Sequence, residues 1–578
     1  MLLYIRYSEY VLYACMRTQL ASPAESRMAI ILERLCISPT EAIRQGDKPY
    51  MQQYKEQGRL VDPETLEVKV METRNRILGA QDPLTLMSIS NLAETYNEQG
   101  RWIKAEEMKL KVLEDRKKIL GEDHPETLDS MASLATVYQQ QGRWTVAEEL
   151  CVSAMEMSLR VLGPEHPGTL DRITTLASIY SDQGRWVEAE VKETLVRETR
   201  MIVLGNEHPL TLDSESHLAS IYHNQGRWRE AEELENHVIE MRKELLGQEH
   251  PDTLSSMGNL ALIYRSQGRL EEAEELASRV MRTLQKAIGQ DHPNTLFVMG
   301  NLATIYNNQG LWKEGERLQK RVMEARKRIL GEEHPATLIS MANLADSYRG
   351  QQMLEKAEQI GVQVVEISKR VCGKDHPDTL ASIINLAETL WSLGRCKEAE
   401  VHEIEVVEIY QRTLGKEHPN TLTSMDNLAA TFSTEERWEE AEKLFTEVIE
   451  TRKRVLGLQH PDTMSSMANL ATTYSKQARW MEAEELLIKV VEQTKTTLGL
   501  EHPLTVATIK NLASTFWNQG RWKEALELEL QTTEGKMATL LLEGPDTLTV
   551  MQNTEELQAR VSGGLSGPTA SINIEDQK

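Results

Sequence analysis

His124 stands immediately before Pro125, and Trp144 follows it after a run of small polar residues. An imidazole can ligate a metal or move a proton near neutral pH, and an indole can bind a ring, a cation or a peptide chain. Adjacent carboxylates such as Glu106–Glu107 and Glu148–Glu149 are the raw material of general acid–base catalysis. Each of these chemistries also needs partners at fixed spacing. A zinc site requires further His or Cys ligands, and none lies near His124 at such spacing. Cys15, Cys36, Cys151, Cys372 and Cys396 are far apart, with no Cys-x-x-Cys pair, which points to a reducing compartment rather than a disulfide framework. No G-x-x-x-x-G-K-[ST], H-E-x-x-H or G-x-S-x-G motif occurs, so phosphate-loop, zinc-protease and hydrolase chemistry have no carrier. The expectation is a protein that is not an enzyme and holds neither cofactor nor metal.

Composition narrows the class further. Of 578 residues, 40% are apolar and 27% charged, ordinary for a folded soluble chain. Aromatics are only 5%, with four Phe, so Ala and Leu carry the core and helices packed by small side chains are expected. A formal charge of −24 argues against nucleic acid, whose phosphates demand clustered Lys and Arg, and favours basic partners. The opening MLLYIRYSEYVLYACM carries Arg6 and Glu9. It is too short to span a membrane and makes a poor signal peptide. A cytoplasmic protein without membrane association is therefore expected.

The stretch around His124 recurs. Gly121 has counterparts from Gly79 to Gly499 at a spacing of 42 residues, giving eleven windows from Gly79 to Leu540 without insertion or deletion. His124 recurs as His166, His208, His250, His292, His334, His376, His418, His460 and His502, each before a proline; only the first window has Asp82 before Pro83. A residue present once per window at one place is architectural, so the histidines are expected to mark helix starts, where Pro is favoured in the first turn. On that reading His292→Ala does little, whereas Gly289→Val strains a left-handed C-cap. Trp144 shares its slot with Trp102, Trp186, Trp228, Trp312, Trp438, Trp480 and Trp522, but also with Leu270, Leu354 and Cys396. That interchange signals a buried apolar position.

Each window reads as two helices. In the first, Ile89, Leu92, Ala93 and Tyr96 make the i, i+3, i+4, i+7 stripe of a buried face. Gln99-Gly100-Arg101 makes the turn, and a second helix runs from about Trp102 to Leu120, with Arg116, Lys117 and Lys118 in its last turn to complement the helix dipole.

Asn91-Leu-Ala-x-x-Tyr96, the Gln-Gly-Arg-Trp turn and Ala105 resemble the tetratricopeptide repeat, in the 42-residue variety of kinesin light chains and fungal repeat proteins. The resemblance implies an all-α, right-handed superhelical solenoid of stacked antiparallel helix pairs, with a concave groove that holds a peptide. On the far side of the first helix, Met87, Asn91, Glu94 and Glu98 form a second stripe, and the resemblance places it in the groove. The Asn recurs at Asn259, Asn301, Asn343, Asn385, Asn427, Asn469 and Asn511. In peptide-binding relatives an Asn here holds the ligand's main chain; the alternative is that it braces neighbouring repeats. Trp391 and Trp517 fall out of phase, in the slot of Asn97 and Arg265, and are candidate ligand contacts. The early windows carry Glu94, Glu98, Asp129, Asp171, Asp182 and Asp213 on this stripe and its flanks; later ones add Arg265, Arg349, Lys476 and Lys510 against Asp346, Glu388 and Asp426. The expected partner is thus a protein or peptide whose basic segment lies at the N-terminal end of the groove.

The expected organisation is an irregular helical segment over 1–50, an array over 51–561 and a disordered tail over 562–578. The array comprises a half repeat (51–78), the eleven repeats (79–540) and a polar cap (541–561), where Thr554 and Glu555 replace the buried Leu512 and Ala513. A monomeric interaction scaffold is the leading reading. The alternative is the sensor array of a fungal nucleotide-binding (NB-ARC or NACHT) receptor lacking its ATPase domain. A kinesin light chain proper is disfavoured, since 50 irregular residues cannot supply that family's long coiled coil.

Overall fold

The structure, a computed structural model, describes residues 61–540; the expectations for 1–50, for the cap at 541–561 and for the tail at 562–578 lie outside the described residues. All described elements are helices, 23 of them, from Val61–Leu78 to Trp522–Leu540. Each window supplies a first helix of 16 residues, such as Pro125–Gln140, and a second of 18 or 19, such as Trp144–Val161 or Trp102–Leu120. The chain forms two compact units, Met1–Thr421 and Leu422–Lys578. Within each, a helix packs chiefly on its sequence neighbours, and first helices also touch the first helix of the next window. This is the layout of a stacked-hairpin solenoid, in which each repeat is stabilised by adjacent ones. Ala105, Ala147, Ala189, Ala231 and Ala273 are wholly buried, so at these positions only a methyl group separates the second helix from its neighbour.

The histidines cap helices. Nδ1 of His124 accepts from the Glu126 amide at 3.3 Å, that of His292 from Asn294 at 3.2 Å and that of His376 from Asp378 at 3.1 Å. Asp82 does the same for Leu84 at 2.9 Å. The expectation that the His contributes little is therefore corrected. His292 is buried and satisfies an orphan amide, a role whose loss costs about 1 kcal/mol. Gly121 closes the preceding helix at φ 95°, ψ 167°, an extended mirror-image conformation open essentially to Gly alone, not the left-handed cap expected. The turn position of Gly142 (φ 71°) is the ordinary left-handed region, and Gln352, Glu436 and Ala478 occupy its equivalents at φ 61°, 62° and 59°. That difference explains why the first glycine is present in every window and the second is not.

Windows are coupled by an arginine. Arg116 is buried rather than spread over the helix end. Its guanidinium crosses into the next window, donating to the Glu126 carbonyl at 3.1 Å and to Ser130 Oγ at 2.8 Å. Arg74, Arg200, Arg242, Arg326 and Arg452 repeat the pattern on Ser88, Ser214, Ser256, Ser340 and Ser466. A second coupling joins consecutive turns. The Glu106 carboxylate receives Gln141 Nε2 and the Arg143 guanidinium, both at 2.8 Å, while that guanidinium lies 4.3 Å from the Tyr138 ring centroid. Glu106 and Glu148, each from one of the adjacent carboxylate pairs, are the hubs of these clamps. Trp102, Trp144 and Trp186 are buried, as expected, and Trp144 Nε1 donates to the Gln139 carbonyl at 3.2 Å.

In the first unit the stack also returns on itself. Pro335 packs over Gly100, where an added Cβ would lie 2.6 Å from the proline Cδ. At Gly310, with nearly the same backbone, a Cβ would meet nothing within 4 Å. Gly310→Ala should therefore cost about 1 kcal/mol, from the positive φ alone, and Gly100→Ala clearly more, read as a difference in thermal midpoint. Arg242→Ala should cost about 2–4 kcal/mol, because the buried Ser256 and the Asp213 carboxylate lose their donor. Lys243→Ala, one residue on and exposed, should change the midpoint little.

Candidate peptide-binding face

The residues singled out from sequence lie on the first helices, where these pack on one another. Asn259, Asn469 and Asn511 bond to the preceding repeat. Asn259 Nδ2 donates to Ser216 Oγ at 3.3 Å and to Glu235 at 3.4 Å, Asn469 to Asp426 at 2.9 Å, and Asn511 to Thr472 Oγ1 at 3.3 Å. Asn301 is buried, while Asn91, Asn343, Asn385 and Asn427 are half-buried. The bracing role weighed from sequence is thus in place at Asn259, Asn469 and Asn511.

Beneath this row the second helices contribute a row of buried polar groups that the hydrophobic pattern hid. Lys109 donates to Glu94 at 2.9 Å and to Ser133 Oγ. Glu193 lies 3.5 Å from His217 Nδ1. Glu235, fully buried, receives the Ser216 hydroxyl at 3.0 Å. A polar residue at an otherwise apolar slot of a second helix (Lys109, Glu193, Glu235, Gln319, Glu403, against Cys151, Ala277 and Leu487) was the available signal.

The early carboxylates are matched from within the chain. Glu94 pairs with Lys109, Asp129 with Arg172 at 2.7 Å, Asp171 with Arg200 at 2.9 Å and Asp213 with Arg242. Asp182 receives Gln139 Nε2 at 3.1 Å. Glu98 is half-buried. The acidic stripe legible in the sequence is therefore offset from within the fold: Lys109, Arg200 and Arg242 come from the second helices underneath, and Arg172 from the next first helix.

Arg349 and Arg265 occupy the same slot, two windows apart, and differ in their surroundings. Arg349 is held by Asp346 at 3.1 Å and by Glu388. At the two positions equivalent to those carboxylates Arg265 has Leu262 and Thr304, and its guanidinium has no ion pair or hydrogen bond among the described residues. Burial lowers its pKa to about 10. His223, in the same slot one window earlier, is held neutral by burial and then by the Arg265 charge, its pKa pushed down to about 4, and its Nε2 pairs with Ser266 Oγ at 2.7 Å. His223 was not picked out from sequence.

The two out-of-phase tryptophans part company. Trp391 is 44% exposed, an uncovered indole on the first-helix face. Trp517 is half-buried and packs edge-on against Trp522, with ring centroids 4.8 Å apart. Among the described residues no three His, Cys, Asp or Glu side chains are grouped to hold a metal ion, and no helix is long and apolar enough to cross a membrane.

Burial raises the Glu235 pKa to about 7, against the opposing pull of Arg242 and of its hydrogen bonds. A carboxyl that titrates higher folded than unfolded stabilises fully below its unfolded value, and that contribution is lost as pH rises through about 7. Glu235→Gln should match the parent in thermal midpoint near pH 4.5 and exceed it at pH 8, by on the order of 1–3 kcal/mol.

Comparison with known proteins accords with this geometry. A tetratricopeptide-repeat signature matches residues 84–150, 132–191, 210–286, 252–307, 294–370, 341–410 and 462–537, and a second one matches 421–462. Nearly identical TPR-like repeats from a Podosopora anserina protein described as a kinesin light chain are 32% identical over 36% of this chain and 98% of theirs, with a TM-score of 0.31. BtubC (BKLC) from P. vanneervenii is 22% identical over 39% of this chain and 91% of its own, with a TM-score of 0.34. No curated protein matches. Signatures covering most of the chain, on a stack of helix pairs repeating every 42 residues, establish that this chain belongs to the tetratricopeptide-repeat family, whose repeats build protein–protein interaction scaffolds.

Proposed function

We propose that the protein is a non-enzymatic adaptor that holds an extended peptide of a partner along the first-helix face of its first unit, between Arg265 and Trp391. The observation that carries this reading is the contrast between Arg349 and Arg265. One slot, built twice, is neutralised by Asp346 and Glu388 in one window and left with an uncompensated, desolvated cation in the other. A half-buried guanidinium is costly without a carboxylate, and a ligand that brings one recovers that cost on binding. The exposed indole of Trp391 supplies the second element, since an aromatic that loses water on contact anchors a complex while exposed charges mainly orient it. The half-buried Asn343 and Asn385 lie between the two and suit the main chain, because an amide offers both donor and acceptor.

The partner's distinguishing groups are then a carboxylate and an apolar or aromatic side chain. A basic segment at the N-terminal end is the weaker form of the reading, because Glu94, Asp129, Asp171 and Asp213 already face cations. Peptides selected on the full chain from an unbiased library should be enriched in Asp or Glu near an aromatic. Trp391→Ala should speed their dissociation. Arg265→Ala should weaken them about tenfold, or about 1.4 kcal/mol, and flatten the salt dependence. Selected peptides whose kinetics ignore both substitutions bind elsewhere, and the reading fails.

A further inference from the structure

We propose that the contact by which the first unit returns on itself is a three-rung latch that opens in acid. The rungs are His334, His376 and His418, at the starts of the seventh, eighth and ninth windows. Each ring uses both nitrogens. Nδ1 accepts from the amide two residues on, in Ala336, Asp378 and Asn420, at 3.1 Å in each case. Nε2 faces a backbone carbonyl 236 residues earlier, that of Glu98 at 3.4 Å, Gln140 at 3.0 Å and Asp182 at 3.0 Å. A carbonyl only accepts and an amide N–H only donates, so the geometry requires the neutral tautomer with its proton on Nε2. A second proton would go to Nδ1, directly opposite an amide N–H.

The rungs are sealed on the side of the earlier windows. Trp102 stacks on His376 with centroids 4.8 Å apart, and Trp144 on His418 at 5.6 Å. Pro335, Pro377 and Pro419 sit against Gly100, Gly142 and Gly184, where any Cβ would collide with the proline ring. His334, His376 and His418 are each buried. The charged neighbours are few. Arg326, in the helix before His334, disfavours a second positive charge there, and the Glu98 carbonyl is its contact across the latch. The Asp378 carboxylate lies 3.9 Å from His376 Nδ1. The Asp182 side chain, which follows the last carbonyl, is engaged by Gln139. Burial lowers the pKa of His334 to about 4 and of His418 to about 3.

Exposed by opening, the His334 and His418 rings return to the ordinary value near 6.5. The closed form is therefore favoured in full above about pH 6.5. It loses up to tenfold in its ratio to the open form for each of these two rings and each pH unit below that, until the closed-state value is reached. The arginine couplings within each pair of windows use no histidine, and a helix that loses its histidine cap loses only one end bond, so the helices stay formed. Opening separates the early windows from the late ones without unfolding either, and it uncovers the edge of the first-helix face. The latch stands independently of the peptide reading.

Spin labels at the exposed Lys104 and Lys374, in the full chain with its native cysteines replaced, report the distance across the His376 rung by pulsed dipolar spectroscopy, with circular dichroism read in parallel. The expected result is one short distance at pH 7.5 and a dominant longer one at pH 4.5, with helicity retained at both. Combined His334→Asn, His376→Asn and His418→Asn, which keeps an acceptor at each helix start but cannot titrate, should hold the same distance at both pH values. A distance indifferent to pH overturns the proposal. So does a lengthening that coincides with loss of helicity, or one that persists unchanged in the Asn variant.

Discussion

The stack depends on a buried guanidinium that belongs to two repeats at once. Arg116, Arg200 and Arg242 leave the last turn of one window and end on a serine and a carbonyl in the first turn of the next. A buried charge is tolerated only where its hydrogen bonds are filled, so the two windows must keep one register. An insertion between them would strand the cation and leave the serine unpaired. This is a physical reason for a period of 42 residues held without slippage at the six junctions where the arginine stands. Five windows lack this arginine: two of them change both partners, and in the other three Ser368, Tyr410 and Thr494 stand opposite Ser382, Ser424 and Thr508. Where Ser158 replaces the arginine, Arg172 stands at the serine's position and reaches Asp129; where Leu284 replaces it, Val298 replaces the serine and both join one apolar cluster. At Ser158 and Leu284 the two partners change together.

The two edges of the stack use polarity differently. At the turns, Glu106, Gln141 and Arg143 form clamps that are half in water, so each contributes modestly and their number matters more than any one. Under the first helices the polar groups are dry. Lys109, Glu193 and Glu235 are almost wholly buried, and each is answered by the asparagine, histidine or serine above it. That layer supplies specificity of register more than net stability, and it consumes side chains that would otherwise be free to touch a ligand. On the proposed reading the face left for recognition is consequently sparse, defined by the places where compensation is missing, at Arg265 and Trp391.

The fold class, the helix pairs and the window boundaries were legible because they rest on local rules repeated many times. A proline after the cap, a glycine after the last turn and a four-residue apolar rhythm recur with one period, and repetition averages out the ambiguity of any single window. The second helix expected over Trp102–Leu120 has those bounds. The buried place of Trp102, Trp144 and Trp186 followed from the exchange of Trp with Leu and Cys in one slot, whereas Trp228, Trp312, Trp438, Trp480 and Trp522 are only half-buried there. The candidate site was legible only as a set of positions. Which asparagines are occupied and which charges are compensated depends on side chains arriving from other helices, and those are separated in sequence by 15 to 43 residues.

What the sequence by itself determined is everything that one repeat and its nearest copy decide: helix type, hairpin, period, and the architectural rather than catalytic standing of the histidines. Those properties arise from interactions spanning no more than about two helices, so a pattern of residue types encodes them. Only the tertiary structure decided which arginines are buried, which carboxylates retain a field, and that His334, His376 and His418 meet carbonyls 236 residues away. The last is a consequence of small rotations accumulated over more than five windows. No residue pattern within a window records that sum, since every window obeys the same local rules whether or not the stack comes back to touch itself.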